Sequence, residues 1–345
     1  MQDRSPNEPI VADVAIIGAG PAGLFAVFEC GMLKLRAVLI DALDALGGQC
    51  TALYPEKPIY DIPAIPRIEA GGLIDALERQ IAPFQPQILL GRRVERLSGG
   101  RGAFRLATDR GETIAAKAVI IAAGAGAFGP NRPPLSGLAA FEASGAVQYY
   151  VREREALRGA RVVIAGGGDS ALDWALGLRG IAERIFLIHR RAKFRAAPES
   201  AAQVAAAAAR GEIEMVIPYQ LAELVGAGGR LEAVVVESLD GARRSLPADR
   251  LLAFFGLATD LGPIAGWGLD LAQHQVRVEP ATCETNLPGV FAIGDVAQYP
   301  GKLKLILQGF SEAALAAHAI HPIVYPDQAL HFAYSTTTGV APLPP

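Results

Sequence analysis

Two glycine-rich turns, each fed by an apolar strand and opening a helix, predict an α/β chain built from two similar nucleotide-binding units. The first turn is Gly18-Ala-Gly20-Pro21-Ala22-Gly23, and the second is Gly166-Gly-Gly168-Asp169-Ser170-Ala171, 148 positions further on. A third feature, Gly294-Asp295, follows both and predicts how they are joined. If the first unit closes on that pair, the second must be inserted within it. The expected architecture is two Rossmann-like three-layer domains, with residues 1–124 and 256–345 forming the outer one and 125–255 the inserted one.

The outer domain begins with Ala12-Asp-Val-Ala-Ile-Ile17, a buried strand running straight into the glycines. A helix over roughly Pro21 to Leu33 and a strand Ala37-Val-Leu-Ile40 follow, ending on Asp41. Gly18 permits the tight turn, Gly20 lets a pyrophosphate approach the backbone, and Gly23 lets helix and strand pack closely. The diphosphate then rests on the helix N-terminus, where unpaired N–H groups and the dipole favour an anion. Asp41 lies 18 residues after Gly23 and is placed to accept hydrogen bonds from ribose hydroxyls. A ligand with free ribose hydroxyls fits, and FAD is the natural candidate. Gly99 to Gly102 reads as a hairpin turn, and Ala118-Val-Ile-Ile-Ala122 as another buried strand.

Gly124 to Pro134 looks like the outgoing linker. In the inserted domain, strand Arg161-Val-Val-Ile-Ala165 feeds the second turn, and a helix runs from Asp169 to about Leu178. The next strand, Ile185-Phe-Leu-Ile188, ends on His189-Arg190-Arg191 rather than on an acid. A carboxylate there would repel a 2′-phosphate, whereas guanidinium groups fork onto one. Arg190, Arg191 and Arg195, with His189, therefore argue for NADP(H) over NAD(H), with Gly166, Gly168, Asp169 and Ser170 forming the phosphate turn. Ala201 to Ala209 reads as a solvent-side helix, Gly226 to Gly229 as a hairpin turn, and Pro247 to Leu261 as the return linker. Back in the outer domain, Asn286 to Asp295 reads as a short strand ending in Gly294-Asp295, which puts a carboxylate beside a flavin's ribityl chain and pyrophosphate. A last helix spans about Phe310 to Ile320; aimed at the isoalloxazine, its N-terminus would stabilise negative charge on the reduced ring.

Composition narrows the class. The formal charge is −3 over 345 residues, which gives no support for nucleic-acid binding. Met1 to Pro9 is polar and acidic and does not read as a signal peptide. No uninterrupted apolar run reaches the length of a membrane span, and no metal-ligand spacing is present. Three cysteines fit a reducing cytoplasm, the expected location.

Chains with two dinucleotide sites often reduce a disulfide, yet neither CxxC nor Cys-x4-Cys occurs. Cys50, in Gly47-Gly48-Gln49-Cys50, has Pro55 at the position of a partner five residues on. Cys30 and Cys283 read as packing residues. Electrons entering a flavin here must leave to an external acceptor.

Several longer segments are more distinctive than the glycine turns. They are Gly47-Gly-Gln-Cys-Thr-Ala-Leu-Tyr-Pro-Glu-Lys57-Pro-Ile-Tyr-Asp61, His189-Arg-Arg-Ala-Lys-Phe-Arg195, Gly262-Pro-Ile-Ala-Gly-Trp-Gly-Leu-Asp270 and Tyr334-Ser-Thr-Thr337. Through them the chain resembles, over nearly its whole length, the thioredoxin-reductase-like ferredoxin–NADP+ reductases. The resemblance implies a homodimeric FAD enzyme in which hydride transfer between NADP(H) and flavin N5 is coupled to one-electron exchange with ferredoxin or flavodoxin. It implies that Tyr54 stacks on one isoalloxazine face. Tyr334, where some members carry His, would cover the other face from the partner subunit, with Ser335 or Thr336 nearest N5. It also places Gln49, Gly124 and Thr336 at the flavin nucleotide. Domain rotation must then bring the two nucleotides together, which makes the two linkers the expected hinges. An acidic ferredoxin would meet a basic surface, with Lys302 and Lys304 the first candidates and Arg92, Arg93 and Arg96 the second. An NADPH-dependent reductase of an external disulfide protein or quinone, and a non-catalytic redox sensor, are the alternatives.

Overall fold

Within each unit the buried strands alternate between two cores, and that alternation builds three layers. The structure is a computed structural model that describes residues 8–331 and 339. The chain divides into one unit of Met1–Phe128 with Thr259–Pro345 and another of Gly129–Ala258.

In the outer unit, five parallel strands lie in the order Val290–Ala292, Ala118–Ile121, Val14–Ile17, Ala37–Ile40 and Gln87–Leu89. Val14 and Ile16 face one core with Leu39 and Ile120, whereas Ala15 and Ile17 face the other with Val38, Ile40 and Ile121. Both faces are dry, which is why these strands read as unbroken apolar runs. Helices Pro21–Met32, Ala70–Ile81 and Ile306–Val324 cover the first face through Leu24, Val27, Leu73, Leu77, Ala313 and Ile320. Strands Val94–Gly100, Ala103–Thr108 and Thr113–Ala116 form an antiparallel sheet over the second through Phe104, Leu106 and Ile114.

The inserted unit repeats the plan. Its parallel sheet runs Val147–Gln148, Arg250–Ala253, Arg161–Ala165, Arg184–Ile188, Glu214–Val216. Val162, Ile164 and Leu187 meet helices Asp169–Gly177 and Pro198–Ala209, while Val163, Phe186 and Ile188 meet an antiparallel sheet of Gln220–Ala227, Arg230–Glu237 and Arg243–Pro247. Helix Pro198–Ala209 is not purely solvent-side, since Val204 and Ala207 are buried beneath it. The two linker strands, Ala127–Pro130 and Leu257–Asp260, are tied at either end. Gly126 bridges Asp260 in the outer unit, and Asn131 bonds the Gly256 and Phe255 carbonyls at 3.1 and 3.2 Å in the inserted one.

The C-terminal helix is longer than the sequence suggested, running from Ile306 to Val324 rather than from about Phe310 to Ile320. Gly309 lies inside its first turn instead of ahead of it. A Cβ there would stand 3.0 Å from the Ala22 Cβ and 3.4 Å from the Gly294 Cα. Glycine is needed because this turn packs against the first glycine motif. No described helix is long and apolar enough to cross a membrane.

Candidate functional site

The first glycine turn is shaped by backbone contacts that leave one face open. Gly18 has φ +109°, and a Cβ on it would meet the Ala122 carbonyl oxygen at 2.3 Å. A Cβ on Gly23 would meet the Gly18 oxygen at 1.8 Å, so the helix can approach its strand only with glycine there. Gly20 differs, because a Cβ on it would meet nothing within 4 Å. Gly20 caps helix Pro21–Met32 without any side-chain cap, and Pro21 takes the first helical position, where no N–H is needed. An uncapped N-terminus under open space fits a diphosphate.

Asp41 does more than the sequence suggested. Its Oδ2 accepts the Ala19 N–H at 2.5 Å and its Oδ1 the Leu43 N–H at 2.8 Å, so the acid laces the end of its strand to the glycine turn. Burial pushes its pKa up, against the two backbone N–H groups that pull it down. Each oxygen keeps a further lone pair for a hydroxyl.

Three more segments gather round this turn. The Gly47 N–H donates to the Ala19 carbonyl at 2.8 Å, and a Cβ on Gly48 would stand 3.2 Å from the Gly20 Cα. A Cβ on Gly124 would lie 3.7 Å from the Gln49 Nε2. Gly294 takes φ +71° with Ala22 facing it. Gln49, Gly124 and Gly294 are thus brought to the first turn. Tyr54 is partly buried against the core, its hydroxyl hydrogen-bonded to Cys50 and the Lys57 ammonium 5.8 Å from its ring centre. Burial, with the nearby Cys50 and Asp295, pushes the tyrosine pKa up. Tyr334, Ser335 and Thr336 lie outside the described residues.

The second turn repeats this geometry. A Cβ on Gly166 would meet the Phe254 oxygen at 2.8 Å, whereas one on Gly168 would meet nothing within 4 Å. Gly168 caps helix Asp169–Gly177 without a side-chain cap, and Asp169 accepts the Ala197 N–H at 2.8 Å. Ser170 is exposed. The arginine loop folds back onto the turn, where the Arg195 N–H donates to the Gly167 carbonyl at 2.7 Å. Arg190, Arg191 and Arg195 are exposed and have no ion pair among the described residues. All three lie close enough to His189 to depress its pKa, behind the larger effect of burial. His189 itself is half-buried. Its ring occupies the space a Cβ on Gly167 would take, at 2.2 Å, stacks on Phe194 at 5.4 Å, and leaves Nε2 buried without a hydrogen bond.

Two expectations about surface cations need correction. Lys302 is not a docking residue, because its side chain is 2% exposed and its ammonium pairs with buried Glu312. Arg92 and Arg93 are paired with Glu112 and Glu95 at 2.9 and 2.6 Å, and Arg93, Arg96 and Lys304 are exposed. The network around Glu312, which includes Tyr299 and Gln308, was not foreseen. An acid inside the Ala-rich stretch Phe310 to Ile320 was its one visible sign.

Cys30, Cys50 and Cys283 are buried free thiols, with pKa values pushed up chiefly by burial to about 12, about 11 and about 12. None is poised as a redox nucleophile. No acid–histidine–cysteine cluster that could hold a metal occurs among the described residues. An open cleft of about 640 Å³, lined by Arg132, Pro134, Leu135 and Leu138, contains no residue of either glycine turn.

Comparison with known proteins agrees with this arrangement. Residues 12–320 match the family described as pyridine nucleotide-disulphide oxidoreductase. A ferredoxin–NADP reductase of Acidiphilium cryptum is 74% identical over 333 residues, covering 96% of this chain and 98% of that protein. One from Rhodospirillum rubrum is 59% identical over 344 residues, covering 99% of both. Among solved structures, thioredoxin reductase of Lactococcus lactis is 23% identical with a TM-score of 0.79, covering 91% of this chain and 99% of that one. The T. acidophilum thioredoxin reductase is 22% identical with a TM-score of 0.78, covering 90% and 98%. These two share the fold.

Proposed function

The chain belongs to the pyridine nucleotide-disulphide oxidoreductase family, among its ferredoxin–NADP reductases, and on that premise we propose that it is an FAD-dependent ferredoxin–NADP+ oxidoreductase. The chemistry supplied by bound FAD is conversion between the hydride of NADP(H) and the single electrons of a ferredoxin or flavodoxin. One observation carries the reading: each unit holds an uncapped helix N-terminus under a glycine that faces open space, and the second turn has beside it three exposed arginines with no ion pair among the described residues.

The outer unit, Met1–Phe128 with Thr259–Pro345, is the FAD domain. Gly18, Gly20, Pro21, Ala22 and Gly23 hold the diphosphate through the backbone. Asp41 accepts from the ribose while fixing the turn through Ala19. Gln49, Gly124, Gly294 and Asp295 flank the same nucleotide. Tyr54 lies against the ring, its hydroxyl tied to Cys50, where an aromatic face excludes water and tunes the flavin. We assign Tyr334, Ser335 and Thr336, which lie outside the described residues, to the opposite face in a homodimer by the resemblance.

The inserted unit, Gly129–Ala258, takes NADP(H). Gly166, Gly168, Asp169 and Ser170 form the phosphate turn, and Arg190, Arg191 and Arg195 hold the 2′-phosphate. His189 supports them from behind as a neutral ring under Gly167 rather than as a ligand. No acid–base residue is required, since orientation of the two rings sets the rate. The buried thiols offer no internal disulfide route, so electrons pass to an external carrier in the cytoplasm.

Steady-state reduction of cytochrome c through added ferredoxin tests the proposal. NADPH should support turnover that depends on ferredoxin, while a thioredoxin-linked disulfide assay stays at background. Disulfide reduction that outpaces ferredoxin reduction would overturn it.

A further inference from the structure

Glu312 is a buried carboxylate on a helix whose inward face is, His321 apart, apolar. The residue is 1% exposed and sits among Ala313, Ala316 and Ala317. Its two oxygens take three donors. Oε2 accepts the Gly294 N–H at 2.7 Å, and Oε1 accepts the Tyr299 hydroxyl at 2.5 Å and the Lys302 ammonium. Gln308, one turn earlier on the same helix, donates to the Tyr299 oxygen at 2.7 Å. Stability is a weak reason for such a pair, because desolvating two charges offsets most of their attraction.

The bonds instead converge on one turn. Gly294 packs against the first turns of two helices, with Ala22 on one side and Gly309 on the other. Its N–H is held by Glu312, and the next residue is Asp295. A carboxylate is required for this arrangement. A glutamine has one acceptor oxygen, so its NH2 would have to face either Gly294 N–H or the Tyr299–Lys302 pair.

We infer that the Lys302–Glu312 pair is a positioning device for the cofactor: Glu312 fixes the Gly294 backbone so that Asp295 is presented to FAD, and Lys302 and Tyr299 hold Glu312 in place. The inference rests on the assignment of FAD to the outer unit. Lys302 is thereby moved from the partner-docking surface to the support of the cofactor turn. Glu312 acts through Gly294 and is not a catalytic residue.

A double-mutant cycle on FAD affinity of the deflavinated protein tests it, with circular dichroism to establish folding. Glu312→Gln should weaken FAD binding about 30-fold, the scale of one lost hydrogen bond to a charged group. Asp295→Asn should weaken it as well. Because both act at one turn, the double variant should bind within about threefold of the weaker single variant, the sign of coupled residues. NADP+ affinity, which reports the inserted unit, should not change. Unaltered FAD affinity in Glu312→Gln, or effects of the two substitutions that simply multiply, would overturn the inference. If Glu312→Gln fails to fold, Lys302→Met/Glu312→Leu removes both charges together and avoids a stranded one. That variant should fold yet hold FAD weakly, and wild-type affinity in it overturns the inference. A wild-type protein that takes up no FAD defeats the proposed function, and this inference with it. Tight wild-type binding with a multiplicative cycle defeats the inference alone.

Discussion

Gly20 and Gly23 sit three residues apart in one motif, yet alanine should do opposite things at the two positions. At Gly23, a Cβ would stand 1.8 Å from the Gly18 oxygen, about 1.6 Å inside the 3.4 Å at which ordinary contact begins. That neighbour is backbone at the base of the turn and cannot rotate away. Overpacking of this kind costs about 3 kcal/mol, which for a unit of this size lowers Tm by about 6–12 °C. At Gly20, φ is −71° and ψ −179°, an extended conformation open to any residue, and a Cβ meets nothing within 4 Å. Loss of a favoured cap residue and the stiffer unfolded chain nearly cancel, leaving a net change of about 0.5 kcal/mol or less. The new methyl would instead stand where the diphosphate approaches. Losing one charge-assisted backbone hydrogen bond should weaken FAD binding by about 10- to 100-fold. The assay is thermal unfolding of the deflavinated protein, paired with an FAD titration followed by flavin fluorescence. Gly23→Ala should lower apo Tm, and Gly20→Ala should leave it in place while losing FAD. Equal loss of Tm in both variants, or full FAD affinity in Gly20→Ala, would refute the division of roles.

In the inserted unit, Arg190→Ala/Arg191→Ala should raise the KM for NADPH about 10- to 100-fold while that for NADH stays within about twofold, since only the 2′-phosphate contacts are lost. Equal losses for both nucleotides in initial-rate assays would contradict the assignment. Lys304→Ala should raise the KM for ferredoxin about two- to fivefold and flatten its salt dependence, because Lys304 is exposed whereas Lys302 is not. Cys50→Ala should retain most NADPH-driven turnover, because a buried thiol pushed up to about 11 is scarcely ionised at neutral pH. The outer unit should also lose stability as pH rises. Its three thiols ordinarily ionise near 9.0 in the unfolded chain but near 11–12 when folded, so above pH 9 the unfolded state gives up protons that the folded state keeps. Each thiol then removes about 1.4 kcal/mol per pH unit. Urea unfolding should be flat from pH 7 to 8.5 and fall steeply towards pH 10.5; stability that rises over that window would contradict the burial.

What the sequence revealed and what it concealed divide along a physical line. Strand, turn and helix at each fingerprint were legible because glycine spacing and apolar runs are local signals. Asp41 was legible as an acid at a strand end. Its bond to the Ala19 N–H, 22 residues back, was not, because that contact exists only once two strands lie side by side. Lys302 read as a surface cation for the same reason. Its partner Glu312 lies ten residues on, inside a helix whose start the sequence placed too late. Arg92 pairs with Glu112 across 20 residues of an antiparallel sheet, which charge counting could not foresee. His189 appeared to be one of four basic residues near a phosphate. Its ring tucks under Gly167 because the loop turns back there at Arg195, a tertiary event. Local pattern thus located both turns, while burial decided which charges serve them.

The most direct test of the central claim is anaerobic stopped-flow on the purified holoprotein. NADPH is added first, and the reduced protein is then mixed with oxidised ferredoxin. The flavin band should bleach with NADPH and recover as ferredoxin is reduced, with NADH far less effective in the first phase. Bleaching without onward transfer to ferredoxin or flavodoxin would contradict the assigned acceptor. A flavin band that NADPH leaves unchanged would contradict the pairing of the two nucleotide sites itself.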